Sequence, residues 1–363
     1  MSLTLLKKKL RAFEEADYEN PIIFISPDHK PDVRLMVFKQ EFHVRSHILK
    51  KGSNYFRKFL DSPDKQNKPA SESDLFRYDY STVVDEDGTW GLVTVTKTPP
   101  LLTEEMISRT NDIKGEIEGF RQLICAMYSS PYTIKDVEEL STLTRIADFY
   151  CALPIVSVTL PSALLDSPIF SKREVEDITA CTKNQLAEDC NFMIFIAQKL
   201  RNSVLFRECL IHIAANWKDA DNFKFHRARN DETIRCVIKL EFSQLEEMII
   251  RLKHALWVAA IVTKLLPGAP ELTRVLAAAE KDYISFEREP KKAVTFWKNL
   301  SAKLAHVVRD GDFLKSKVGS LLANNLVLDR TNDGPGEGCY KHCFLCTEIA
   351  DSEFPWDTTA VDL

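Results

Sequence analysis

Apolar and polar positions alternate over two short stretches near the start of the chain, Val33, Leu35 and Val37 and then Phe42 and Val44. A period of two puts every second side chain on one face, as in half-buried strands. Lys39-Gln40-Glu41 is polar and short, which predicts a hairpin connection, though without an Asn-Gly type of signal. Ile48, Leu49, Tyr55, Phe56 and Phe59 follow at helical spacings, with Gly52 marking a break between two small helices. Asp61 to Asp74 is polar, with prolines and serines, and reads as a loop. Leu75 to Thr98 reads as further β structure: Val83-Val84, a turn over Asp85-Glu-Asp-Gly88, and a strand from Trp90 to Thr96, closed by Pro99-Pro100.

The period then changes to that of helices. Ile117, Phe120, Ile124 and Met127 share one face of a helix predicted over Ile113–Tyr128. Val137, Leu140, Leu143, Ile146, Ala147 and Tyr150 do the same over Asp136–Cys151. From about Leu160 the strand signals stop. Ser171-Lys-Arg-Glu174 is a capping-box candidate. Helices are predicted around Phe192–Leu200, over Val204–Trp217, and over Thr233–Leu266 with a break near Phe242-Ser243. Asp219–Asp231 reads as a loop, Pro267-Gly-Ala-Pro270 as a breaker, and two or three more helices are expected up to about Leu328. Ahead of all this, Leu3, Leu6, Leu10 and Phe13 predict an amphipathic helix over residues 1–20, with Lys7 to Lys9 and Arg11 as a basic cluster. That helix is read as a capping helix with a solvated charged face, the alternatives being a nuclear-import signal or a membrane-surface helix. No repeat of fixed period is visible.

Two stretches of this pattern resemble the BTB/POZ domain, in its divergent fungal form. Asp32, Phe42, Val44, Ile48, Leu49, Ser53, Tyr55 and Phe56 match the opening of that family, while Arg45 stands where it usually has His and Ser46 where it often has a basic residue. Phe120-Arg-Gln-Leu-Ile-Cys-Ala-Met-Tyr128, the turn Ser129-Ser-Pro-Tyr132, and Ile146-Ala-Asp-Phe-Tyr150 resemble its second half, in the expected order. The resemblance covers about residues 22–165. The helical part around Ala197–Asn202 and Leu205–Leu210 is similar to the region that follows the domain in fungal proteins.

The expected fold class is therefore α+β: a BTB/POZ-like α/β domain over 21–165, with an insertion at about 61–115, then an all-α domain over 166–330. Residues 331–363 are expected to be a flexible, cysteine-containing tail, opening on the linker Asn332-Asp-Gly-Pro-Gly-Glu-Gly338. The resemblance implies protein–protein interaction or a scaffold role, with protein partners, a homodimer or a cullin scaffold as the options. The aliphatic-x-Glu element that usually accompanies cullin recruitment has no convincing counterpart in the loop after the small helices, so a ligase adaptor ranks second. Interaction residues are expected at Asp32, Phe42, Arg45, Tyr55 and Phe56. Asp32 and Arg45 in particular are read either as a local pair holding the fold or as a charged recognition pocket.

Composition narrows the classes. At 363 residues the chain is long enough for two domains. A net charge of -5, from 48 basic and 53 acidic residues, argues against nucleic acid as the main partner. Nine cysteines without a leader-like N-terminus point to a reducing compartment, cytoplasm or nucleus, and no run is long enough to predict a membrane span. Cys339, His342, Cys343 and Cys346 are four soft zinc ligands within eight residues, but so short a segment needs a ligand from elsewhere, and packed free thiols are the preferred reading. Their Cys-x3-Cys-x2-Cys spacing also resembles the cluster motif of radical S-adenosylmethionine enzymes, which is set aside because too little chain follows. His43 with His47, and His212 near Cys209, are read as packing histidines. No dinucleotide-binding glycine motif, Walker loop, nucleophile elbow or His-Glu-x-x-His is present. No cofactor and no catalytic residue is expected; an enzyme with a site in the helical domain is the competing class.

Overall fold

The computed structural model describes residues 20–26, 30–62, 76–95, 103–110, 112–165, 167–171, 181–215, 231–265, 270–288, 292–307, 312–330 and 333–358. The helix expected over 1–20, most of the loops expected at 61–74 and 219–231, most of the capping box expected at Ser171–Glu174, and Pro99-Pro100 lie outside these residues. The fold is mixed α+β and mostly helical. It divides into two compact units, one ending at Ala163 and one starting at Leu164.

The first unit is built on a five-stranded sheet of order β1-β3-β2-β4-β5. The strands are β1 (Ile22–Ile23), β2 (Val33–Val37), β3 (Gln40–Val44), β4 (Tyr78–Val84) and β5 (Trp90–Thr94). β2 and β3 form an antiparallel hairpin, with Leu35 opposite Phe42. β4 runs parallel to β2, with Leu35 opposite Tyr80. A parallel pair needs a long crossover, which here contains α1 (Ser46–Gly52) and α2 (Asn54–Leu60). Both strands of the hairpin bury alternate residues, as their alternation predicts.

The connection is tighter than the sequence suggests. Gln40 and Glu41 belong to β3, and the turn is Phe38-Lys39, with Phe38 in the left-handed region at φ 55°. A two-residue hairpin favours positive φ at its centre, usually from glycine or asparagine. Phe38 is held there by tertiary contacts: its ring meets Trp90 at 5.4 Å, and its N–H donates to Thr82 Oγ1 at 2.9 Å.

Helices α3 (Glu104–Arg109), α4 (Ile113–Met127), α5 (Val137–Phe149) and α6 (Leu153–Leu164) follow. α4 is buried on most of its circumference, not along one stripe: Gly119, Gln122, Leu123 and Cys125 join Ile117, Phe120, Ile124 and Met127 inside. Gly119 permits this approach to α5, since a Cβ there would lie 2.9 Å from Thr142 Cγ2 and 3.0 Å from Ile146 Cδ1.

The second unit is helical. Among the described residues it holds α7 (Pro168–Ser171), α8 (Cys181–Leu200), α9 (Ser203–Ala214), α10 (Glu232–Leu265), α11 (Pro270–Arg288), α12 (Ala293–Ala305) and α13 (Asp312–Leu321). Asn202 caps α9, its Oδ1 accepting from Leu205 N–H at 2.8 Å. The expected break at Phe242-Ser243 does not occur, and α10 runs unbroken for 34 residues. Ser243 lies inside the helix with its hydroxyl donating to Lys239 C=O at 3.0 Å. Leu245, Ile249 and Leu252 of α10 meet Leu276, Trp297, Leu300, Leu314 and Val318 in one core.

The tail also departs from expectation. Where described, it is part of the core rather than a free linker and tail. Phe344 and Cys346 join the cluster around Trp297, while Tyr340, Cys343 and Leu345 pack with Ile211 and Ala215. Asn325 N–H donates to Leu345 C=O at 3.0 Å, and Gly336 N–H to Tyr340 C=O at 2.9 Å. The apolar side chains at 340–346 outweigh the ordering entropy that a Gly-rich approach implies.

Candidate functional site

Asp32 stands just before β2 and joins three elements. Its backbone N–H donates to Val44 C=O, and its own C=O accepts from Arg77 and Tyr78 N–H. Its carboxylate accepts from Ser46 N–H at 2.7 Å and Ser46 Oγ at 2.6 Å, so it caps the start of α1. A carboxylate suits that position, where the first amide groups of a helix lack intrahelical acceptors. The cap residue of α1 itself, Arg45, makes no side-chain cap. Asp32→Ala is expected to destabilise the first unit by about 2 kcal/mol in urea unfolding, with Asp32→Asn retaining part of that.

No hydrogen bond or ion pair joins Asp32 to Arg45. Ser46, next in the chain, takes the carboxylate, which removes the charged pair that the sequence suggests. Arg45 instead donates its backbone N–H to Tyr128 Oη at 2.7 Å, and its Nη1 is buried without an acceptor. Tyr128 packs on Phe24, with ring centroids 5.0 Å apart. Burial pushes its hydroxyl up to about 12, opposed by the Arg45 N–H bond and charge. The hairpin end before α1 and the end of α4 thus touch at Arg45 and Tyr128.

Phe42 and Phe56, expected as interaction residues, have no exposed surface. Alternation on β3 and helical spacing on α2 aim both rings inward. Phe42 meets Phe120 edge-on at 5.5 Å, Phe56 stacks on Tyr150 at 5.2 Å, and Phe120 meets Tyr150 at 5.6 Å. Tyr55 is half-buried, stacked on Phe59 at 5.1 Å and edge-on to Tyr150 at 5.2 Å. These aromatics form the interior, not a docking face. Burial raises the Tyr150 hydroxyl well above its usual range, and that hydroxyl has no hydrogen-bond partner.

The four zinc candidates do not converge. Cys346 lies in the cluster around Trp297, whereas Cys339 and Cys343 lie with Tyr340 and Ile211. Among the described residues no three His, Cys, Asp or Glu side chains gather as a metal site. His43 and His47 also separate: His43 on β3 pairs with Glu41 at 2.6 Å, and His47 is exposed on α1.

Two buried acids went unnoticed in the sequence. Glu208 on α9 accepts from Val327 N–H at 2.8 Å and Asp329 N–H at 3.2 Å. Burial raises its carboxyl and those backbone bonds oppose the rise. His212 Nε2 lies 3.8 Å from Glu208 Oε1, and the imidazole sits between the rings of Phe170 and Tyr340, each 6.0 Å away. Both side chains are almost wholly enclosed, and Glu208 anchors the 327–329 segment rather than facing a ligand. Glu241 on α10 is buried with Oε1 lacking a partner, and burial together with the charge of Glu353 pushes its carboxyl up to about 7. Its position on the stripe Ile234, Ile238, Glu241, Leu245 was the available signal.

No helix among the described residues is long and apolar enough to cross a membrane. Comparison with protein-family models, with curated proteins and with solved structures returns no match.

Proposed function

We propose that this protein is a non-enzymatic interaction or scaffold protein whose first unit acts as a BTB/POZ-like recognition module. The observation supporting this reading is that the two separated stretches carrying the resemblance share one interior. Phe42 and Phe56 from the first meet Phe120 and Tyr150 from the second at 5.5 and 5.2 Å. The hairpin, the pair of short helices and the strand β4 parallel to β2 support this reading, since the resemblance implies a small sheet with helices.

The partner proposed first is a second copy, met at the β1 edge. Ile23 is 52% and Ile25 82% exposed, beside a strand of two residues that pairs parallel with β3. Edge strands with exposed apolar side chains are templates for pairing with another chain. Sedimentation velocity of the full chain is expected to show a dimer at micromolar concentration. Ile23→Asp with Ile25→Asp is expected to yield a monomer with an unchanged melting temperature. A wild-type monomer at every concentration would defeat the self-association reading.

A further inference from the structure

We propose that the surface around Phe206 and Arg207 on α9 binds an acidic aromatic peptide of a partner protein, and that the chain's own residues 351–356 occupy it as a displaceable stand-in. The segment reads Asp351-Ser-Glu-Phe-Pro-Trp356. Asp351 pairs with the Arg207 guanidinium, which also lies 4.7 Å over the Phe354 ring. Phe354 and Trp356 stack at 4.7 Å, and both meet Phe206 edge-on, at 5.7 and 5.1 Å. One arginine thus takes an anion at its edge and a ring on its face. Arginine and aromatic side chains gathered at one spot are the composition in which binding energy concentrates.

Two further observations set this contact apart from ordinary core packing. The turn of the segment is closed by its own groups: Glu353 N–H donates to Ala350 C=O at 3.0 Å, and Ala350 N–H donates to Glu353 Oε2 at 2.8 Å. Such a turn keeps these bonds when it leaves. From Asp351 to Trp356 only Phe354 is buried, and the Asp351 side chain is 77% exposed. The surface is also incomplete with this occupant. Glu241 of α10 is 2% exposed, its Oε1 lacks a partner among the described residues, and the segment brings it the like charge of Glu353. A buried polar group without a partner is costly. A peptide with glutamine in place of Glu353 keeps an acceptor for the turn, removes the repulsion, and so suits the surface better than the resident segment does.

The test uses the full chain, with Phe354→Ala and Trp356→Ala together to empty the surface, and a dye-labelled synthetic peptide of the sequence Ala350–Asp357. Fluorescence anisotropy is expected to show saturable binding to this variant, about tenfold or more tighter than to the wild type, where the tethered segment competes. The Glu353→Gln peptide is expected to bind about threefold tighter than the parent peptide at pH 8. Arg207→Glu in the emptied chain is expected to weaken binding about tenfold, and a peptide carrying Asp351→Arg to restore it. Hydrogen exchange of the wild type is expected to be about a hundredfold faster at 351–356 than at Leu205–Ala214. Ile23→Asp with Ile25→Asp is expected to leave peptide binding intact, which separates this inference from the reading of the first unit. Absence of binding to the emptied chain, or binding indifferent to Arg207, would overturn the proposal. An emptied chain that fails to fold, or equal exchange at the two places, would overturn it too, since the segment would then belong to the core. So would a dimer that Phe354→Ala with Trp356→Ala abolishes, since the surface would then take the segment of a second copy.

Discussion

Phe120→Ala is expected to destabilise the first unit by about 3–5 kcal/mol, the usual range for removing a buried aromatic ring from a core. Phe120 has no exposed surface and touches Phe42, Trp90 and Tyr150. Those partners come from β3, β5 and the end of α5, so one truncation opens a cavity where the sheet meets the helices. The ring contacts add to the area lost. Denaturant unfolding followed by near-ultraviolet circular dichroism measures the effect. Tyr55→Ala, at a half-buried position beside the same cluster, is expected to cost less than half as much. Tyr150→Phe is expected to cost nothing, because the hydroxyl it removes is buried without a partner. A Phe120→Ala penalty below about 1 kcal/mol would mean that the two resembling stretches do not share a load-carrying interior.

Glu241→Gln is expected to flatten the pH dependence of the second unit's stability. Burial first, and then the charge of Glu353, raises the Glu241 carboxyl from 4.5 to about 7. The folded unit therefore holds the proton more tightly than the unfolded chain does. The stability this contributes is fully present below pH of about 4.5 and is lost as pH rises through about 7. At about 1.4 kcal/mol per unit, the loss has an upper bound of about 3 kcal/mol. Glutamine imitates the protonated carboxyl. The variant is thus expected to match the wild type at pH 5 and to exceed it by about 1–3 kcal/mol at pH 8. Denaturant melts at the two pH values measure this, and equal differences at both would refute a buried carboxyl that titrates near neutrality. Glu353 sits on the 3-10 turn Asp351–Glu353, close to Arg207, whose guanidinium pairs with Asp351 and lies over Phe354 at 4.7 Å. Loss of stability at high pH should therefore loosen the 350–356 segment first.

Much of the first unit was legible because its signals are local. Strand alternation at Val33–Val37 reports one buried face, helical spacing at Ile117–Met127 reports part of a helix buried on most sides, and both elements lie where they were expected. The site was less legible. Asp32 was singled out, yet its partner is Ser46 and not Arg45, because the start of α1 presents an amide and a hydroxyl closer than any guanidinium. Phe42 and Phe56 were read as contact residues and are core: a sequence marks a residue as apolar without saying which apolar surface it meets.

What the amino-acid sequence determined by itself was the kind and order of elements, a mixed β and helical front followed by helices, since period and turn residues act over a few neighbours. Tertiary structure alone decided three things. It set the Phe38-Lys39 turn, where Thr82 and Trp90 hold a strained residue in place. It drew the cysteine-containing tail into the helical core through Phe344, Leu345 and Cys346. It left Trp257, Val258, Ile261, Val262 and Leu265 exposed while enclosing Glu241 on the same helix. In each case the deciding contact comes from residues far apart in the chain, and no local pattern records a distance between them.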